Sequence, residues 1–232
     1  FFLRLYIFLV IPFKYFYNLF FFPKKKNLDL IEIKSQSLKN LKLSELFNYF
    51  NSDKGDFFED QYVQPYKRKK KKIKGHGYAQ FYEKYFESFK DFPINILEIG
   101  SFHGNASAGL FFYFNKAKIY SADIFPDLFR YKSKRLINFF VNSSNEKSIK
   151  KNIIDRQIIF DIIIEDASHS QKDQILSLFS LFRILNNKGL FIIEELDFPD
   201  TRKDMNLDDE RPTLREILSN IANKNDFDSR FI

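Results

Sequence analysis

From Pro93 onward, short runs of β-branched and aromatic residues alternate with segments whose apolar positions recur at helical spacing. The pattern predicts strands at 94–99, 117–123, 138–142, 158–165 and 189–194. Helices are predicted at 104–114, 128–136, 145–155, 170–185 and 212–223. Strands alternating one for one with helices imply an α/β fold with a Rossmann-like, doubly wound parallel sheet. Ile158–Phe160 with Ile162–Ile164, and Leu190–Ile193, are nearly continuous apolar runs, as expected of central strands covered on both faces. Ahead of Pro93, Leu38, Leu41, Leu46, Phe47 and Phe50 fall on one face of a helix over 38–50, which Ser52-Asp53-Lys54-Gly55 ends. Tyr78–Phe89 repeats the helical period. The chain therefore divides into a hydrophobic segment 1–26, a helical extension 27–92 with a basic loop, and an α/β core 93–232.

Residues 1–22 are long enough to cross a bilayer, but Arg4, Pro12 and Lys14 interrupt them. A lysine at the centre of a span costs about 3 kcal/mol on insertion scales. A spanning helix, an interfacial helix and a helix packed on the domain all remain open. If the segment engages a membrane, Lys24–Lys26 would keep the downstream chain on the cytoplasmic side, so the expected location is the cytoplasm, at the inner membrane face in that case.

The net charge is +7, yet residues 1–26 and 67–74 hold 12 of the 37 basic side chains and none of the 30 acidic ones. The basicity is local, so the overall charge does not argue for nucleic acid as a partner. The run Lys67–Lys72 reads as a solvated loop or as a patch for an anionic partner. With no cysteine, the chain has no disulfide, zinc-thiolate site, iron–sulfur cluster or thiol nucleophile.

The first core strand runs into Glu98-Ile99-Gly100-Ser101-Phe102-His103-Gly104 before a helix begins, a glycine turn that lets backbone approach a ligand at the strand's carboxyl end. It is not the G-x-G-x-x-G of dinucleotide folds, and Glu98 would repel a pyrophosphate while suiting a cationic or hydroxyl-bearing ligand. The second strand ends in Asp123, 23 residues after Gly100, where α/β nucleoside sites place the acid that holds ribose hydroxyls.

LEIGSFHGNAS (97–107 within Leu97–Ser107) followed by SADIF (121–125) resembles the first two motifs of class I S-adenosylmethionine-dependent methyltransferases. The resemblance implies donor contacts from Glu98, Gly100, Ser101, Gly104 and Asp123, with adenine contacts from the end of the third strand, Asn142–Ser144, including Ser144.

The fourth strand ends in Glu165-Asp166-Ala167-Ser168-His169 and the fifth in Glu194-Glu195. In the strand order 3-2-1-4-5 that the resemblance implies, these ends are neighbours. Asp166, Glu194 and Glu195 would form a hard oxygen site suited to Mg²⁺, provided the fifth strand has ended before both glutamates. His169, three residues past Asp166, is the candidate general base. His103 and His76 are further candidates for contact with donor and acceptor.

EDASH (165–169) paired with FIIEEL (191–196) is similar to the metal-dependent sugar O-methyltransferases of the macrocin and mycinamicin type, as are SDKG (52–55) and GHGYAQFYEKYF (75–86) ahead of the core. Asp166, Glu194 and Glu195 match that family's metal ligands and His169 its catalytic base. The chain departs from it at Glu165-Asp166, where Asp-Asp is commoner, and at Glu194-Glu195, where Glu-Asp is commoner. The implied activity is methylation of a hydroxyl on a sugar or glycosylated acceptor. One rival is a nucleic-acid methyltransferase using the lysine-rich loop, but the fourth strand lacks the Asn/Asp-Pro-Pro-aromatic motif of the amino-methylating enzymes; the other is a non-catalytic, membrane-associated module that keeps the donor site. Methyltransferases of this fold also carry a sixth strand and an antiparallel seventh, for which Asn223–Ile232 are too few, so the sequence is expected to be truncated before them and the fifth strand to be an apolar edge. The stretch 197–211 has loop composition and is a candidate lid.

Overall fold

The computed structural model describes residues 12–13, 24–59, 71–197, 201–207 and 209–224. Five parallel strands form the sheet: β1 (Asn95–Ile99), β2 (Lys118–Asp123), β3 (Leu136–Phe140), β4 (Phe160–Glu165) and β5 (Leu185–Ile193). Their order is β3-β2-β1-β4-β5, so the chain reverses direction across the sheet between β1 and β4, where the ends of these two strands open a crevice. This is the sheet the alternating pattern predicts.

Ahead of it lie α1 (Leu28–Lys34), α2 (Leu43–Tyr49) and α3 (Tyr78–Phe86), and between and after the strands α4 (Asn105–Tyr113), α5 (Glu146–Asn152), α6 (Gln171–Leu181) and α7 (Leu214–Asn223). The helix expected at 128–136 does not form. Phe129 and Tyr131 are buried while Arg130 and Lys132 are exposed, an alternation of period two rather than 3.6. Tyr131–Lys132 accordingly pair in parallel with Lys26–Asn27. The expected helix at 38–50 divides into a 3₁₀ turn, Gln36–Asn40, and α2.

The N-terminal helices and the sheet share one apolar core. Leu43, Leu46, Phe47, Tyr82 and Phe86 of the extension join Ile96, Leu110, Phe111, Phe112, Ile119 and Ile162 of the α/β part in one buried cluster. Every residue of α4 is buried, because the sheet covers one side and α2 the other. A Cβ at Gly109 would lie 2.6 Å from the Phe47 ring, so the absence of a side chain there sets how closely α2 approaches. Polar ties reinforce the contact. Arg135 donates to the Phe114 and Ala117 carbonyls at 3.0 and 2.9 Å, closing the C-terminal end of α4, and its guanidinium also meets Glu32 of α1.

The opposite face of the sheet is closed by α5 and α6 through Ile149, Ile153 and Leu181 against Leu97, Ile99 and Ile163. The amphipathic α7 buries Leu214 and Ile217 against Ile175 and Leu178 of α6. Its first turn is fixed by Thr213, whose hydroxyl accepts from the Glu216 N–H while Glu216 accepts from the Thr213 N–H. At the sheet's edge, β5 pairs with β4. No helix among the described residues is long and apolar enough to cross a membrane. Apart from Pro12–Phe13 and Lys24–Lys26, the segment 1–26 read for membrane contact lies outside the described residues, as does Lys67–Lys70 of the basic run.

Candidate active site

The turn after β1 is built on two glycines with left-handed backbone. Gly100 has φ 87°, and a Cβ there would fall 1.9 Å from the Asp166 carbonyl oxygen. Gly104 has φ 77°, and a Cβ would fall 2.3 Å from the Phe129 ring. Both positions therefore require glycine for conformation and for space. Asp123 at the end of β2 organises the same turn, its two oxygens accepting from the Phe102 and Phe125 N–H groups at 2.7 Å each. Ser101 is buried, its hydroxyl directed to the Ala122 carbonyl at 3.4 Å. Glu98 is buried and accepts from the Ser107 hydroxyl. Burial pushes its carboxyl up to about 7, against the pull of the Lys54 charge.

A cavity of about 220 Å³ has Ser52–Lys54, Glu98, Gly100–His103, Asp123, Asp166 and His169 in its wall. A second cavity runs from Gly100, Asp123 and Ala167 to Asn142–Ser144. The shared walls place the glycine turn, the β2 acid and the end of β3 along one trough. Ser144 donates to Asp173 at 2.5 Å, and Ser168 donates to the same carboxylate oxygen at 2.6 Å. His103 stacks on Phe102 and faces the Arg130 guanidinium at 3.1 Å. Burial and the Arg130 charge press it down to about 4, so it is neutral at pH 7.

At the ends of β4 and β5 the acids converge on a residue that the motif reading did not single out. The buried Lys54 ammonium is 2.7 Å from Glu194 Oε2 and also bonds Asp166 Oδ2. Burial alone would lower its pKa, but the two carboxylates outweigh that and hold it well above the ordinary lysine value. The carboxylates in turn are pushed up to about 7, Asp166 by burial and Glu194 by burial and by Asp166, because one ammonium cannot neutralise two anions in a dry site. Tyr82 of α3 donates to the other oxygen of Glu194.

Glu195 takes a different direction. The strand ends at Ile193, and Glu195 adopts a left-handed φ of 55°. Its Oε1 accepts from the Tyr78 hydroxyl at 2.9 Å and lies 3.2 Å from His76 Nδ1. The condition for both glutamates to turn inward is thus met, yet they serve different partners. No group of three or more His, Asp or Glu side chains among the described residues is arranged to hold one ion. The expected triad is present as a convergent pair, Asp166 and Glu194, with Glu195 set apart by its contacts to the start of α3.

His169 also has a left-handed φ, 58°, a backbone state that a non-glycine residue holds only where its surroundings impose it. Its Nε2 is 3.8 Å from Asp166 Oδ1, and burial lowers its pKa, so the imidazole is neutral at pH 7. Lys54, Tyr78 and Tyr82 are the site residues sequence reasoning passed over. Their signal was the pair of segments SDKG and GHGYAQFYEKYF, in which Tyr78 and Tyr82 are one helical turn apart.

The strand order, the glycine turn after β1 and the acid closing β2 are those of a Rossmann-like doubly wound sheet. No family model matches the chain. Among curated proteins it is 29% identical over 128 residues to the 8-demethyl-8-alpha-L-rhamnosyl tetracenomycin-C 2'-O-methyltransferase of Streptomyces olivaceus, a match covering 52% of this chain and 33% of that protein. It is 27% identical over 128 residues to the demethylmacrocin O-methyltransferase of Streptomyces fradiae, covering 52% and 32%. These matches therefore span about 33% of the curated relatives' length. Among solved structures, the MycE methyltransferase of mycinamycin biosynthesis, crystallised with Mg and SAH, superposes with a TM-score of 0.61 at 19% identity, covering 79% of this chain and 48% of that one. The resemblance to sugar O-methyltransferases read from EDASH and FIIEEL is thus matched by relatives named as O-methyltransferases, the first of them for a rhamnosyl tetracenomycin-C.

Proposed function

We propose that the chain carries the donor-binding and catalytic part of an S-adenosylmethionine-dependent O-methyltransferase that modifies a hydroxyl on a sugar or glycosylated acceptor. One observation carries the reading: a single cavity has both the glycine turn with Asp123 and the pair Asp166–His169 in its wall. Relatives named as sugar O-methyltransferases support the acceptor class.

In this reading Gly100–Gly104 and Glu98 receive the methionine end of the donor, Asp123 the ribose, and Asn142–Ser144 the adenine side. Asp166 and Glu194 fit a divalent ion such as Mg²⁺, since their buried oxygens already converge on one cationic group. The donor supplies an electrophilic methyl, and a bound divalent ion supplies Lewis acidity that lowers the pKa of the acceptor hydroxyl. His169, neutral because it is buried, accepts the hydroxyl proton at Nε2, and Asp166 at 3.8 Å stabilises the resulting imidazolium. Burial of this corner keeps water from competing for the methyl.

The test is calorimetric titration of S-adenosylmethionine into the protein and into Asp123→Ala, followed by turnover of a panel of glycosylated acceptors by the wild type and His169→Ala. Donor binding that Asp123→Ala abolishes, with turnover that His169→Ala lowers about 10²-fold or more, is the expected result. A folded wild type that binds no donor overturns the proposal.

A further inference from the structure

Lys54 lies where the proposed function needs a metal. Its side chain is 2% exposed, and the oxygens it contacts, Asp166 Oδ2 and Glu194 Oε2, belong to the two carboxylates that reading assigns to the divalent ion. An ammonium and a metal ion cannot share those oxygens at bonding distance.

The backbone that carries Lys54 is held firmly. Ser52 N–H donates to the Phe47 carbonyl at 2.8 Å, His76 N–H to the Asp53 carbonyl at 2.7 Å and Ala79 N–H to the Lys54 carbonyl at 3.2 Å. These bonds tie the turn to the end of α2 and the start of α3, so the ammonium can leave its place only by rotation of the side chain. The adjoining cavity gives it somewhere to go, because Lys54 lines it together with Asp53 and Glu98, a second pair of acids.

We propose that Lys54 is an intramolecular counter-ion seated at the cation position between Asp166 and Glu194, and that a divalent ion enters by displacing its ammonium into the neighbouring cavity. The inference rests on the reading of Asp166 and Glu194 as metal ligands. Lys54 is then a positioning residue: it keeps the buried Glu194 and the partly buried Asp166 convergent when no ion is bound, and it weakens metal binding by the work of its own displacement. Occupancy of the ion site is thereby coupled to the donor cavity, whose wall the displaced side chain enters.

The test uses Mn²⁺ with the full chain, reading free ion by electron paramagnetic resonance in the wild type and in Lys54→Met, which keeps the length and apolar stem and removes the charge. Lys54→Met is expected to bind Mn²⁺ about tenfold tighter or more, and to melt lower than the wild type without the ion and recover with it. A role confined to holding the fold would lower the melting point without raising the affinity. Should the variant fail to fold, acetylation of Lys54 in the wild type, followed by mass spectrometry, gives the same answer: saturating Mn²⁺ should raise its rate several-fold by releasing a buried amine. Wild type that binds Mn²⁺ with Lys54→Met no tighter, or an acetylation rate that bound Mn²⁺ leaves unchanged, overturns this inference and leaves the proposed ligands standing. Absence of Mn²⁺ binding by both proteins overturns it together with the metal part of the proposed function, while donor titration still judges the rest.

Discussion

The two halves of the site are held together in different ways. At the ends of β1 and β2 the polar groups find partners close by in the chain: Asp123 accepts from residues 2 and 21 positions away, and Glu98 from Ser107. At the ends of β4 and β5 the partners come from the extension. Glu194 bonds Lys54 and Tyr82, 140 and 112 positions away, and Glu195 bonds Tyr78, 117 away. The glycine turn and its acid are therefore set within one βαβ unit, whereas the acid half takes its partners only once α2, α3 and the turn at Ser52–Lys54 have docked.

The largest effect should come from the donor half. Gly100→Ala forces a left-handed φ on a residue with a Cβ and drives that atom into the Asp166 carbonyl, so a loss of about 3 kcal/mol or more is expected in urea unfolding. Because Gly100 and Asp166 touch, the substitution also separates the β1 and β4 ends. A loss below about 1 kcal/mol would mean that the two halves are less rigidly joined than their contact implies.

Glu194→Ala comes next. It leaves the buried Lys54 with a single carboxylate partner and Tyr82 with none at that position, for a loss of about 3 kcal/mol. Tyr82→Phe removes only the hydroxyl bond to Glu194 and should cost about 1–2 kcal/mol. The ratio of the two, measured by chemical denaturation, reports how much of the docking between the extension and β5 depends on charge.

Stability against pH depends on single buried groups in both halves. Glu165 is buried with neither carboxylate oxygen hydrogen-bonded among the described residues, and burial raises it to about 8, against the nearby Ala167 N–H. A carboxyl raised in the folded state binds its proton there when the unfolded chain has lost it. Its contribution is complete below about pH 4.5 and disappears as pH rises through 8. His103 has the opposite sign: its value is lowered to about 4 in the fold, so stability falls as pH drops from about 6.5 toward 4. Glu165→Gln should lessen the loss above pH 4.5, most visibly between about 7 and 8 where Glu98, Asp166 and Glu194 have already lost their protons, and leave the acid limb intact, as thermal melts across pH 4–9 would show. The smallest effect is expected for Ser144→Ala, about 0.5 kcal/mol, because Ser168 still donates to the same oxygen of Asp173.

Much of this was legible in the sequence, and the reasons are local. Runs such as Ile162–Ile164 are apolar on both faces, as interior strands are, so the parallel sheet followed from their alternation with helical segments, while the order of its strands came only with the resemblance to methyltransferases. The glycine turn and Asp123 were legible because their roles depend on backbone conformation and on spacing along one βαβ unit. The segment 128–136 was misread because Phe129, Tyr131 and Leu136 satisfy a loose helical count, while the pairing that settles it, Tyr131–Lys132 with Lys26–Asn27, joins residues more than a hundred positions apart. Asp166 and His169 were placed correctly at a strand end. The direction of Glu195 was not readable, since a left-handed turn at a non-glycine residue leaves no mark in composition.

By itself, then, the sequence determined the parallel sheet, the turn at Gly100–Gly104 and the placing of acids at the carboxyl ends of the strands, because all of these follow from periodicity and from conformations that single residues impose. Only the tertiary structure decided what the acids face. The burial of Lys54 between Asp166 and Glu194, and the division of Glu194 from Glu195 by Tyr82 and Tyr78, arise when the apolar faces of α2 and α3 close on α4 and carry their polar groups into the site with them. A charge enters such a place only as part of that packing, since its desolvation is offset by partners that stand far away in the chain.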